Sequence, residues 1–301
     1  MRTPPYLQKG DKIALAAPAR SIDRETLMLA MHVLIEEGFL VQLDDEVLGQ
    51  ENQFSGSDAQ RAIHFQHLLD DPTVKAILCA RGGYGSNRII DKLNFTNFVR
   101  HPKWIVGYSD ITMFHAHLQQ QLKVESLHAT MPVNFQTNTH EAMKSFFEAL
   151  MGVPTDYRVP AHPLNRIGKA SGMLAGGNLS ILSSLAASAD FPDTMGKILF
   201  LEDIDEYLYH IDRMIISLKR AGVFDGLSAL IVGGMSEMKD NAVPFGKTAE
   251  EIILEHVNEY DFPVCFGFPA GHIPDNRALI LGRLMTLELD ESVVLLTDSS
   301  G

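Results

Sequence analysis

The chain has 301 residues, 46% of them hydrophobic, 21% charged and 8% aromatic. That is an ordinary globular composition, rich enough in apolar residues for a sizeable core and long enough for two domains, and it excludes disordered, collagen-like and coiled-coil classes. The net charge of −13 is uneven, with 15 Lys and Arg against 18 Asp and Glu in residues 1–160 and 10 against 20 in residues 161–301. An acidic chain without a basic run is unsuited to nucleic acid or to an anionic membrane surface.

In chain order, residues 12–17 (KIALAA) predict a buried strand. Residues 22–37 predict a helix closed by Gly38, and 39–43 a second strand. A helix over 57–69 is capped by Ser57 or Asp58 and followed by Pro72. The apolar strand 74–80 then runs into Arg81-Gly82-Gly83-Tyr84-Gly85. A helix over 86–93, a strand at 104–107, a helix over 111–122, a strand at 124–128 and a helix over 140–150 complete the first half. Such alternation predicts a mostly parallel, Rossmann-like sheet covered on both faces. The periodicity lapses over 153–168, where Pro154, Pro160 and Pro163 fall, and a linker is expected there, between domains at 1–152 and 169–301. The second half predicts a mixed α/β domain. Its strands lie at 170–174, 198–202, 229–232, 264–268 and 278–281, its helices at 178–187, 207–220 and 248–259, and two closing strands at 284–289 and 293–296 pair antiparallel across short turns.

Two cysteines, Cys79 and Cys265, sit in apolar runs, which fits a reducing compartment. No signal-peptide pattern opens the sequence and no apolar run nears 18 residues, so a cytoplasmic protein is expected. His64 with His67, and His115 with His117, match no metal-ligand spacing, and no metal is expected.

Four places can carry chemistry. In Gly107-Tyr108-Ser109-Asp110 a strand ends where a helix begins, so a serine is pushed outward beside free helix N–H groups. It is half of a G-x-S-x-G turn, with Ile111 at the second glycine position, and a simple helix cap accounts for the same residues. The Arg81–Gly85 loop allows close backbone approach to a ligand, but it lacks the third glycine of a dinucleotide site and any Walker lysine. A tight turn explains it equally well. Glu202 still belongs to an apolar run, unlike the acidic residues after it, and a buried carboxylate needs a partner. His272 lies in Phe268-Pro269-Ala270-Gly271-His272, the most constrained setting of the 12 histidines.

Together these give a serine, an acid and a base in the order Ser109, Glu202, His272. The chain resembles the serine LD-carboxypeptidases, the muramoyl-tetrapeptide carboxypeptidase family that also contains microcin C immunity peptidases. The resemblance runs through Gly10-Asp11-Lys12-Ile13-Ala14, Ala17-Pro18-Ala19, Phe54-Ser55-Gly56 with Arg61, Asp71-Pro72 and Ala80–Gly85. It continues through Val106–Asp110, Gly172 to Asn178-Leu179-Ser180, Leu201-Glu202-Asp203 and Gly271-His272. It implies a nucleophile domain, a C-terminal domain supplying Glu and His, and an active site between them. It also implies a cofactor-free serine hydrolase acting on a cytoplasmic murein tetrapeptide, with a homodimer expected. The backbone of Asp110 and of Gly82 or Gly83 then bind the oxyanion, and Arg81 beside the glycine loop is the candidate for a substrate carboxylate. Two rivals stand: a microcin-type immunity peptidase, which needs an aromatic platform that Trp104 in its buried strand is poorly placed to give, and a non-catalytic nucleotide or sugar-phosphate binding module resting on the glycine loop.

Overall fold

The computed structural model describes residues 1–299. The first half alternates strands and helices: β1 (Lys12–Ala16), α1 (Arg24–Glu36), β2 (Leu40–Gln42), α2 (Asp58–Asp70), β3 (Val74–Cys79), α3 (Thr96–Arg100), β4 (Trp104–Gly107), α4 (Thr112–His117), β5 (Ser126–His128) and α5 (His140–Met151). Local chemistry sets the helix ends. Asp23 caps α1, Ser57 and Gln60 form a capping box on α2, and Gly38 and Gly152 take left-handed conformations behind α1 and α5. The expected helix over 86–93 is instead two short 3-10 turns, Ser86–Arg88 and Ile90–Lys92. There the Ser86 N–H donates to the Asp110 side chain, 2.8 Å away.

The second half contributes β6 (Asp156–Pro160), β7 (Gly168–Asn178), α6 (Leu179–Leu185), β8 (Ile198–Ile204), α7 (Leu208–Arg220), β9 (Ala229–Ser236), α8 (Ala249–Val257), β10 (Val264–Cys265), β11 (Leu279–Leu281), β12 (Leu284–Leu289) and β13 (Val293–Asp298). Two sheets result. One has the order β11-β5-β4-β3-β1-β2, parallel except for β11. The other has the order β10-β9-β8-β7-β12-β13-β6, parallel from β10 to β7 and antiparallel from β7 to β6.

Two strands depart from the sequence reading. β6 lies inside the stretch expected to link the halves, and it is the edge partner of β13. An edge strand needs no apolar alternation and tolerates the proline at its end, so Asp156–Pro160 carries no strand signature. β11, read as a strand of the second half, crosses to the first sheet, where Leu279 pairs with His128 and Leu281 with Ser126. Its alternating side chains divide between two cores. Ala278 and Ile280 pack with Leu15, Trp104 and Phe146, and Leu279 and Leu281 pack with Phe200, Phe268 and Met285. The two cysteines are buried and unpaired, and burial pushes both thiols well above their ordinary pKa.

Candidate active site

The loops after β1, β3 and β4, neighbours in the parallel sheet, emerge at one edge, where open α/β folds gather their ligands. β4 ends at Gly107, whose φ of +155° brings its Cα so close to Ile111 that a Cβ would stand 2.9 Å from that side chain. The chain then turns sharply, and Ser109 is held at φ +62°. A non-glycine residue in that region carries roughly 1–3 kcal/mol of strain, and the turn leaves Ser109 partly exposed at the start of a helical turn. Beneath it the Gly107 carbonyl accepts a 2.8 Å hydrogen bond from His115 Nε2, whose Nδ1 meets Ser126 Oγ at 2.8 Å. Burial pushes His115 down to about 4, so this ring is a neutral structural brace.

The glycine loop covers the turn that carries Ser109. A Cβ on Gly82 would stand 3.1 Å from Ser109 Cβ, 3.2 Å from its Oγ and 3.4 Å from the Asp110 nitrogen, so glycine keeps that corner open. Asp110 is 1% exposed and spends its carboxylate on the loop, Oδ2 accepting from Ser86 N. Burial raises its pKa above the ordinary carboxylate range. From below, buried Arg61 donates to the carbonyls of Pro18, Gly56 and Gly85 and pairs with Asp58, which explains why Phe54–Gly56 and Arg61 accompany the loop. Arg81 is half-buried, and its Nη1 donates to the Ser21 carbonyl at 3.2 Å.

From the other sheet come Glu202 and His272, the acid and base expected from the sequence. Glu202, fully buried near the end of β8, accepts from His272 Nδ1 at 2.6 Å and from the His272 backbone N–H at 3.2 Å, both on Oε2. Gly271 makes this possible, because a Cβ there would stand 2.6 Å from Glu202 Cβ. Glu202 Oε1 has no hydrogen-bond partner among the described residues. Next to it, burial and the Glu202 charge push Asp203 up to about 7, although Asn178, Ser180 and Ile204 all donate to it. The halves touch here as well, with Asn178 N donating to Thr112 Oγ1 at 3.0 Å. The His272 ring lies 4.8 Å from that of Tyr108, the residue before the serine, over a cavity of about 210 Å³ lined by Asn134, Asn138, Ile204 and Glu237. The Ser109 hydroxyl itself makes no hydrogen bond among the described residues. Catalytic contacts of this kind commonly tighten only with substrate.

The electrostatics suit a base. Burial disfavours a charged His272, but the Glu202 carboxylate and its hydrogen bond, with Asp203 and Glu237 behind them, outweigh burial and raise the pKa above 6.5. Only the neutral ring can take a proton, so kcat/KM is expected to fall as pH drops through a midpoint above 6.5. Stability runs the opposite way. A pKa raised on folding contributes stability that is full below 6.5 and lost as pH rises through the folded value. Paired pH profiles of rate and of Tm check both signs, and an acid limb below 6.5 would contradict the first.

Nothing in the sequence marks where the Tyr108 and His128 side chains pack. Tyr108 donates its hydroxyl to Asn134 Oδ1 at 2.8 Å and forms a wall against His272. His128 is fully buried, edge-on to Phe200, and burial drives its pKa far down. Of the closely spaced histidine pairs, His64 meets Asp44 and His117 meets Asp190. Among the described residues no group of three or more His, Cys, Asp or Glu side chains could hold a metal ion, and no helix is long and apolar enough to cross a membrane.

Comparison with known proteins shows the family. Models of the LD-carboxypeptidase N-terminal and C-terminal domains match residues 13–129 and 171–287 in order. The chain is 32% identical to a probable murein peptide carboxypeptidase of Bacillus subtilis, over 97% of its own length and 93% of that protein. It is 26% identical to the murein tetrapeptide carboxypeptidase of Pseudomonas aeruginosa, over 92% and 93%. To the microcin C7 self-immunity protein MccF of Escherichia coli it is 25% identical, over 97% and 94%. The crystal structure of muramoyltetrapeptide carboxypeptidase from Oxalobacter formigenes superposes with a TM-score of 0.87 at 27% identity, covering 95% of this chain and 98% of that one. With both domains matched and the similarity spanning nearly its whole length, the chain belongs to the LD-carboxypeptidase family of serine-type peptidases.

Proposed function

We propose that this enzyme removes the terminal D-alanine of cytoplasmic murein tetrapeptides by hydrolysing the bond from an L-centre to that D-residue. The observation that carries the reading is the buried Glu202–His272 pair, whose ring lies 4.8 Å from the residue preceding a strained serine at the sheet edge. His272 takes the Ser109 proton as the hydroxyl attacks the carbonyl, and Glu202 holds the ring in the needed tautomer and stabilises the imidazolium. The Asp110 N–H and one from Gly82 or Gly83 bind the tetrahedral oxyanion, each such donor being worth about 3 kcal/mol. His272 then protonates the departing amine; water next attacks the acyl-enzyme ester as His272 takes its proton, and His272 returns that proton to Ser109 Oγ as the ester bond breaks and the tripeptide leaves as its acid. No step calls for a cofactor or metal.

In this reading residues 1–152 supply the nucleophile and residues 169–301 the acid and base, joined through 153–168, and the enzyme acts in the cytoplasm as a homodimer. The names of the Bacillus and Pseudomonas relatives support the murein substrate. The microcin-type alternative gains no support from the sole tryptophan, because Trp104 is fully buried and its Nε1 donates to the Pro5 carbonyl. Incubation with a murein tetrapeptide is expected to release free D-alanine and the tripeptide by mass spectrometry. An intact tetrapeptide beside cleavage of an aminoacyl-nucleotide would move the assignment to the immunity peptidases.

A further inference from the structure

Releasing a single terminal residue requires reading a carboxylate close to the scissile bond. One residue of extended chain spans only about 3.6 Å, so the group that reads it must stand beside Ser109. Two arginines flank the glycines that cover the serine. Arg81 is engaged, its Nη1 donating to the Ser21 carbonyl. Arg20 is exposed, and its side chain makes no hydrogen bond or ion pair among the described residues. The nearby Arg61 and Arg88 are both paired with Asp58, whereas Arg20 is in no ion pair among the described residues.

The placement of Arg20 is built in. A Cβ on Gly83 would stand 2.6 Å from Arg20 Cδ and 2.9 Å from its Nε, so the stem lies flat against the bare backbone of Gly83. The preceding residue, Gly82, is the one packed on Ser109 and Asp110. Arg20 N donates to the Gly82 carbonyl at 3.4 Å, and Arg81 grips the carbonyl of the next residue, Ser21. The stem is thus held on Gly83, next to the glycine that packs on Ser109, while the guanidinium stays uncommitted.

We propose that Arg20 is the specificity residue that binds the terminal carboxylate of the leaving residue, with Arg81 positioning the strand-end loop that carries it. A guanidinium receives a carboxylate through two parallel hydrogen bonds, which fixes orientation as well as charge. A longer peptide would present a neutral amide at the same place, so the clamp makes the enzyme cut one residue from the end. This rests on the carboxypeptidase reading above.

The test is kinetic and uses the full-length enzyme with two tetrapeptides, one ending in a free carboxylate and one in a carboxamide. Wild type is expected to favour the carboxylate. Arg20→Gln is expected to lower the ratio of kcat/KM for the two peptides by about 10²-fold, with Arg20→Lys recovering part of it. An unchanged ratio, or an equal loss on both peptides, overturns the clamp, and so does a collapse of the ratio in Arg81→Gln but not in Arg20→Gln. A wild-type enzyme that releases no terminal residue from either peptide instead overturns the carboxypeptidase reading, and the clamp with it, so the two failures are told apart. Unchanged Tm values confirm that these exposed and half-buried positions still support the fold.

Discussion

Ser109→Ala is expected to lower kcat by about 10⁶-fold, the loss seen when the nucleophile of a cooperating triad is removed, with a residue of catalysis left to the oxyanion donors and binding. The backbone at 109 makes a companion variant informative. At φ +62° serine is strained, whereas glycine takes that conformation freely. Ser109→Gly is therefore expected to be as inactive as the alanine variant yet more stable by about 1 kcal/mol, read as a rise in Tm. The strain would then be located in the nucleophile itself, as a cost of presenting its hydroxyl. Near-wild-type turnover by Ser109→Ala would remove the basis for the mechanism.

Glu202→Gln is expected to cost about 10⁴-fold in kcat, because a neutral amide of the same shape stabilises neither the right tautomer nor the imidazolium. The sign on His272 can be stated beforehand. Burial opposes its charge and Glu202 is what outweighs it, so without the carboxylate the histidine pKa must fall. NMR titration of His272 reads this directly. Since the triad acts as a unit, Ser109→Ala with Glu202→Gln is expected to be no slower than Ser109→Ala alone. A single Glu202→Gln variant within tenfold of wild type would show that the carboxylate serves only to hold the 271–272 turn.

Much of the site was legible because its residues lie at or just after the ends of apolar strands, and strand ends can be read from local pattern. Ser109 follows WIVG, and Glu202 closes an apolar run that the acidic cluster then breaks. Arg20 gave no signal. It stands 61 positions before Arg81, and only the adjacency of β1 and β3 in the sheet brings their following loops together. His128 and Tyr108 were silent for the same reason, since each acts through packing across strands that are distant in sequence. The parallel sheet followed from strand–helix alternation, whereas β6 and β11 did not. The first is a polar edge strand, and the second has a run of only three residues that fits either sheet.

The crossing of β11 makes the two halves co-dependent. The six residues after His272 lead straight into a strand hydrogen-bonded to the edge of the sheet that carries Ser109. A fragment ending near residue 152 would leave the β5 edge open, an adhesive ladder without its cover. A fragment beginning near 169 would carry a strand with no sheet to join. The two halves are accordingly expected to unfold together, and the chain passes between the sheets on both sides of β11, through 272–278 before it and through Gly282-Arg283 after it. His272 and Ser109, the proposed base and nucleophile, are thereby kept in register by the same stitch that joins the two sheets.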